Sequence, residues 1–284
     1  MRKQDDEKNI IWRKKMKIEN SNFIEEIKET ADNMYRLGWN ERNGGNISLL
    51  LTDEEIEPYL PELKEKRKLE LPLNFKELAG KYFVITGTGR YFKNISKFPE
   101  ENLGLVCISD DGTYASLLWG YKNGGSFTSE IAMHLSAHIQ RLDAGDNQRV
   151  VVHAHPTNIV AMTHIHSWDE KKFTMTLWNM ITECIVIFPE GVAVLPWMIS
   201  SSCDIGIESS KKFRDFRILI WALHGITAVG SSVDEAFGLI ETVEKAAEIY
   251  MKIYGNQSRK GIDKNMLKAV AEAFNLETKQ GWLE

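Results

Sequence analysis

Arg149–Val150–Val151–Val152–His153–Ala154–His155–Pro156–Thr157–Asn158 is the stretch that decides how the rest of the chain is read. Three β-branched valines lead into two histidines spaced i, i+2. A strand repeats every two residues, so His153 and His155 leave the sheet on the same face. Pro156 has no N–H to give to a ladder, which puts the pair at a strand end or an edge. Two imidazoles side by side on a rigid element suit a borderline divalent metal such as zinc. Two half-buried histidines satisfied by hydrogen bonds would show the same spacing, so the decision rests on what other segments supply.

The chain has 284 residues, 43% of them hydrophobic, with eight tryptophans. That is enough for a substantial core and excludes a disordered chain. The net charge of −5, with both signs interspersed, argues against a nucleic-acid surface. No run of 18 apolar residues exists, so no membrane helix is expected. Met1 to Asn20 is charged with mixed signs and lacks an apolar h-region, which predicts a frayed or helical extension rather than a signal peptide. The three cysteines, Cys107, Cys184 and Cys203, are widely spaced in apolar surroundings and read as reduced core residues of a cytoplasmic protein. Without a CxxC pair, a zinc site must be built from histidines and carboxylates.

Helical spacing over Asn22–Leu37 predicts a helix ending at Gly38. Ile47–Leu51, Tyr82–Ile85, Leu105–Ile108 and Tyr114–Trp119 read as strands, the last two flanking the hairpin turn Asp110–Asp111–Gly112. Residues 52–68 are charged and interrupted by Pro58 and Pro61, which predicts a surface excursion. Thr128–Ser129–Glu130 opens a helix through about Leu142, with hydroxyls able to cap it and a carboxylate in its first turn. A mostly helical segment follows the central strand to about Ile181. Glu183–Phe188 and Val192–Leu195 read as strands joined by Pro189–Glu190–Gly191, and Asp204 caps another helix. Two apolar runs flank His224–Gly225, and helices over Val233–Tyr254 and Lys264–Phe274 close the chain. No repeat or linker is visible, so one domain of mixed strands with helices on both faces is the economical reading.

A catalytic zinc usually takes three protein ligands and keeps one open position. His134 and His138 are i, i+4 on the helix after Glu130, but that helix supplies no further ligand nearby. They read as a buried or half-solvated pair. His164 and His166 repeat the HxH spacing in a polar context and read as surface residues. His224 ends an apolar run and precedes a glycine, the setting for a third ligand. Asn43–Gly44–Gly45–Asn46 and Thr86–Gly87–Thr88–Gly89 both lie at strand ends. Glycines let backbone N–H groups converge into an anion-binding nest, although taken alone each segment is more often a tight turn. Neither has the spacing of a nucleotide-binding loop. Arg90 reads as an extra phosphate contact or a plain surface charge.

A zinc site, two phosphate cradles and an acid at a helix start together resemble the class II zinc sugar-phosphate aldolases of the aldolase/adducin-head type. The resemblance runs over roughly residues 22–275 and is carried by Gly38–Asn46, Phe83–Gly89, Thr128–Ser129–Glu130, His153–Ala154–His155, Leu177–Trp178, Thr182–Glu183–Cys184, Phe188–Val192, Leu195–Met198, His224–Gly225 and Asp234–Ile240. The HxH and TSE elements fit the whole superfamily. The ERNGGN, TEC, FPEGV and LPWM stretches narrow it to members acting on L-rhamnulose 1-phosphate. Pentulose-phosphate 4-epimerases share the zinc site and phosphate cradle but resemble the chain less in the ERNGGN and TEC regions, and a fuculose-1-phosphate aldolase is the other alternative within the superfamily. The non-catalytic adducin head lacks the metal residues found here.

The resemblance implies a three-layer α/β/α fold with a central, mostly antiparallel sheet flanked by helices on both faces. Residues 1–20 read as a charged N-terminal extension, and the resemblance implies one catalytic domain over 21–284. His153, His155 and His224 would hold one Zn2+ per subunit, and Glu130 would be the catalytic carboxylate. Asn43, Gly44, Asn46, Thr86, Thr88 and Ser129 would hold the phosphate of dihydroxyacetone phosphate, the co-product being L-lactaldehyde. Glu183 would reach a neighbouring subunit's site in a homotetramer with active sites between subunits. The chemistry is coherent: the enediolate next to a ketone needs its charge stabilised by a Lewis acid, and a nearby carboxylate can move the proton. The N-terminal extension, the Lys64–Lys68 stretch and the pair His164 and His166 depart from the family pattern without touching a matched motif.

Overall fold

The computed structural model describes residues 17–145, 147–256 and 258–284. Most of the extension expected over residues 1–20 lies outside these; its end, Ile18–Asn20, forms one tight turn with Ile18 buried.

Nine strands among the described residues form one sheet: β1 Asn46–Leu50, β2 Arg67–Glu70, β3 Tyr82–Thr86, β4 Leu103–Ile108, β5 Tyr114–Gly120, β6 Val150–Ala154, β7 Ala193–Leu195, β8 Ile218–Trp221 and β9 Gly225–Gly230. Their order is β2-β5-β4-β3-β1-β6-β9-β8-β7. Every pairing is antiparallel except β7 with β8, so the sheet is mostly antiparallel as expected. The longer helices are α1 Asn22–Arg36, α2 Ile131–Asp143, α3 Thr157–Ile165, α4 Glu170–Met180, α5 Glu183–Ile187, α6 Cys203–Phe213, α7 Val233–Ile253 and α8 Lys264–Ala273. Helix α7 packs on β6 and β9 and gathers α1, α3, α4 and α5 around it. Helices α2 and α6 pack against each other and against β6, β7 and β8. A sheet with two faces to bury thus lies between two helical layers. No helix among the described residues is long and apolar enough to cross a membrane.

β6 sits near the middle of the sheet, between β1 and β9. Its five residues are all buried, which is why it reads as a continuous apolar run rather than an alternating one. The register sets Asn46, His153 and Thr227 side by side across β1, β6 and β9. Neighbours in register share a face, so one row of three side chains is committed to one site.

Three local expectations are corrected. Glu183–Ile187 is a helix rather than a strand, with Cys184 and Ile185 buried beside α7. A short apolar run has no decisive period of its own, and the packing partner chooses. The excursion over 52–68 carries a one-turn helix, Asp53–Ile56, with a complete Thr52–Glu55 capping box, and ends in edge strand β2. Strand β2 reads Arg–Lys–Leu–Glu, and charge on an edge strand blocks pairing with other chains while hiding the strand from pattern reading. Helix α6 is capped by the Ser202 hydroxyl, and Asp204 sits in its first turn.

Candidate metal centre and active site

His153 is delivered by β6 and is fully buried. Its Nδ1 lies 2.9 Å from the Ile226 carbonyl and 3.1 Å from Thr227 Oγ1. A carbonyl only accepts, so Nδ1 carries the proton and Nε2 keeps a free lone pair. His155 follows the strand end; its backbone N–H donates to the Trp39 carbonyl at 2.9 Å. Its Nδ1 stands 3.3 Å from Glu41 Oε1, a carboxylate behind a ring as metal-ligating histidines commonly have. His224 occupies the turn between β8 and β9, where Leu223 adopts φ +62° and gives its N–H to Thr163 Oγ1 at 2.9 Å.

One ring nitrogen from each of the three histidines lies within 4.8 Å of the others, and this is the one such metal-capable group among the described residues. The Nε2 atoms of His153 and His155 are 3.2 Å apart. Burial pushes His153 well below the usual histidine value, with His155 and His224 adding to the effect, and burial lowers His224 to about 4. Three converging imidazoles can present lone pairs to one point, the donor set a borderline divalent cation takes.

Two glycines make this convergence possible. Gly45, at φ +72°, brings backbone against the Asn40 amide and the His153 carbonyl; a Cβ there would lie 2.7 Å from that carbonyl oxygen. A Cβ on Gly225 would come within 2.4 Å of the Ala154 carbonyl and 2.9 Å of the His155 ring.

Glu130 is the N-cap residue of α2 and is only 7% exposed. Its Oε2 stands 3.6 Å from His153 Nε2 and its Oε1 3.9 Å from His224 Nε2. Burial raises its carboxyl above the ordinary value, and the Asn46 amide, donating to Oε2 at 2.9 Å, partly opposes this.

A cleft of about 170 Å³ opens beside these groups. Asn43, Gly44, Asn46, Thr88 and Ser129 line it together with Glu130, His155 and His224. Gly87, Thr128 and Ser201 line it as well, and Ser201 Oγ lies 2.8 Å from Ser129 Oγ. Thr86 stands apart from them: its buried hydroxyl accepts from the Ile47 N–H at 3.0 Å and holds β3 to β1. Glu183 is exposed at the start of α5 and does not line the cleft of its own chain. His134 and His138 are fully buried and share the Ser48 hydroxyl at 2.7 and 2.8 Å. His164 lies exposed in the last turn of α3, and His166 bonds Thr176 Oγ1 at 2.9 Å. The residues sequence reasoning passed over are Glu41 and Ser201; Glu41 lay within a quoted motif and only its spatial approach to His155 gives it a role.

A mostly antiparallel sheet between helical layers, three converging imidazoles, a buried carboxylate and a hydroxyl-lined cleft define the architecture of a class II aldolase. The profile described as Class II Aldolase and Adducin N-terminal domain matches residues 25–251, and the chain belongs to that family. It is 47% identical over 262 residues to a rhamnulose-1-phosphate aldolase of Listeria monocytogenes, covering 92% of this chain and 96% of the relative. A rhamnulose-1-phosphate aldolase of Enterococcus faecalis is 44% identical over 270 residues, covering 95% of this chain and 97% of its own length. Among solved structures, a sugar-phosphate aldolase from Thermotoga maritima aligns with a TM-score of 0.72 at 26% identity, over 84% of this chain and 97% of that one.

Proposed function

We propose that the chain is a zinc-dependent lyase that reversibly cleaves L-rhamnulose 1-phosphate to dihydroxyacetone phosphate and L-lactaldehyde, serving rhamnose breakdown in the cytoplasm. The observation that carries the reading is the His153–His155–His224 cluster beside buried Glu130, in a chain 47% identical to a named rhamnulose-1-phosphate aldolase over 92% of its length.

His153, His155 and His224 hold the metal. Bound zinc supplies Lewis-acid stabilisation of the negative charge that develops on the substrate oxygens. Glu130 takes and returns the proton on the nucleophilic carbon of dihydroxyacetone phosphate. Its raised carboxyl value brings it nearer neutrality, where a general base is most effective. Asn46 keeps one carboxylate oxygen engaged, which leaves Oε1 as the free proton acceptor. Asn43, Gly44, Thr88 and Ser129 bind the phosphate, and the N-terminus of α2 beside Ser129 adds a favourable field for an anion. Glu183, exposed on its own protomer, assists proton transfer at the aldehyde oxygen of a neighbouring site in a homotetramer. Residues 21–284 act as one catalytic unit.

The test is turnover of three purified substrates under the same conditions. L-Rhamnulose 1-phosphate is cleaved with the highest kcat/KM, L-fuculose 1-phosphate more slowly, and ribulose 5-phosphate is not converted to xylulose 5-phosphate. Preference for fuculose 1-phosphate, or efficient epimerisation, would overturn the assignment.

A further inference from the structure

Glu130, His134 and His138 are spaced four apart and lie along one face of α2, while Asn46 and Ser48 are spaced two apart on β1. Four residues advance a helix by about 6 Å and two advance a strand by about 6.7 Å, so the two rows mesh like a zip. They alternate as Glu130–Asn46–His134–Ser48–His138. Asn46 Nδ2 bonds Glu130 Oε2 at 2.9 Å, Asn46 Oδ1 bonds His134 Nε2, and Ser48 Oγ bonds His134 Nδ1 at 2.7 Å and His138 Nε2 at 2.8 Å.

The direction of every bond follows from the carboxylate end. A carboxylate accepts, so the Asn46 NH2 donates to it and the Asn46 carbonyl must accept from His134 Nε2–H. His134 is neutral, since burial and neighbouring His138 lower it to about 3, so its Nδ1 is bare and accepts from the Ser48 hydroxyl. The Ser48 oxygen then accepts from His138 Nε2–H. This leaves His138 Nδ1 as an acceptor with no partner, and that atom is indeed buried without one. A buried polar row with one unmet acceptor contributes less to stability than apolar residues of the same shape. Stability alone therefore does not account for it. The Asn46 amide neither gains nor loses a proton at neutral pH, so the row orients and does not conduct.

We propose that His134 and Ser48 are positioning residues: they lock the Asn46 amide in one of its two orientations, so that it always offers its NH2 to Glu130 and holds the carboxylate directed at the metal site. This rests on Glu130 being the base in the proposed reaction. Without the His134 donor, the Asn46 amide can turn its oxygen toward the carboxylate, which repels Glu130 from its working position.

The test compares His134→Leu with His134→Gln, whose side-chain amide can restore a donor near the Nε2 position. In His134→Leu, metal content and KM stay within about twofold of wild type, while kcat and the rate of deuterium exchange into dihydroxyacetone phosphate both fall about ten- to hundredfold. His134→Gln recovers most of the loss. Unchanged kcat in the leucine variant, equal loss in both variants, or loss of metal would overturn the proposal. If His134→Leu does not fold, Ser48→Ala decides: kcat falls at unchanged KM, and a wild-type kcat overturns the proposal. Nitrogen-15 spectra of metal-free protein give a readout independent of turnover, with His134 neutral and protonated on Nε2; an Nδ1–H tautomer contradicts the scheme. A wild-type protein that exchanges the dihydroxyacetone phosphate proton but leaves rhamnulose 1-phosphate intact would defeat the substrate assignment alone, and the exchange rates of the variants would still decide the role of His134.

Discussion

At the scale of single residues, the site depends on which nitrogen of each histidine is free. Ile226 O settles this for His153, and Glu41 stands behind His155. His153→Ala removes the most buried donor, so the purified variant is expected to lose bound metal and cleavage together. Glu130→Ala, by contrast, should retain metal and lose at least about a hundredfold in activity, as removal of a general base does. Elemental analysis beside the cleavage assay separates the two outcomes. The histidines were legible because HxH on a valine-rich strand and His–Gly after an apolar run are local patterns. The roles of Asn46 and Glu41 were not, since each is defined by a partner more than 80 residues away. Leu223 is likewise illegible: at φ +62° a leucine carries a cost of about 1–2 kcal/mol that only the surrounding turn explains.

Among elements, the central strands were read correctly because β-branched runs bounded by glycine, proline and histidine leave little choice. Helix α5 was misread because five residues carry too little period, and β2 because its side chains are those of a solvent face. Helix α3 begins directly after the HxH strand, and its first turn is anchored from a distance. Buried Glu244 on α7 accepts from Asn158 N–H at 3.0 Å, Asn158 Nδ2 at 2.7 Å and Ile159 N–H at 2.9 Å. It acts as an N-cap supplied by another helix. Glu244→Ala should cost about 1–2 kcal/mol, the loss of a good cap, and lower Tm by several degrees in thermal unfolding. An unchanged Tm would mean that water replaces the carboxylate at no cost.

For the whole molecule, the three layers hold several neutral histidines away from water, which ties stability to pH. His134 and His138 are each held at about 3 by burial, against 6.5 in an exposed chain. The unfolded chain therefore binds protons that the folded chain refuses, and stability rises with pH across that interval. The contribution is complete above about pH 6.5 and is lost progressively as pH falls toward 3. Burial raises the carboxyls of Glu130 and Glu244, which act in the opposite sense just above the ordinary carboxylate value of 4.5, where the folded chain keeps protons that the unfolded chain has released. In metal-free protein, the urea midpoint should fall steadily from pH 6.5 downward, and His138→Leu should flatten that slope. An equal slope in the variant would place the pH sensitivity elsewhere.

The most direct test of three imidazoles and a carboxylate acting around one ion is to remove the ion and restore it. Protein purified without added metal should contain one divalent ion per chain, lose cleavage of L-rhamnulose 1-phosphate on treatment with a chelator, and regain it on addition of one equivalent of zinc. Full cleavage by protein shown to be free of metal would contradict the account.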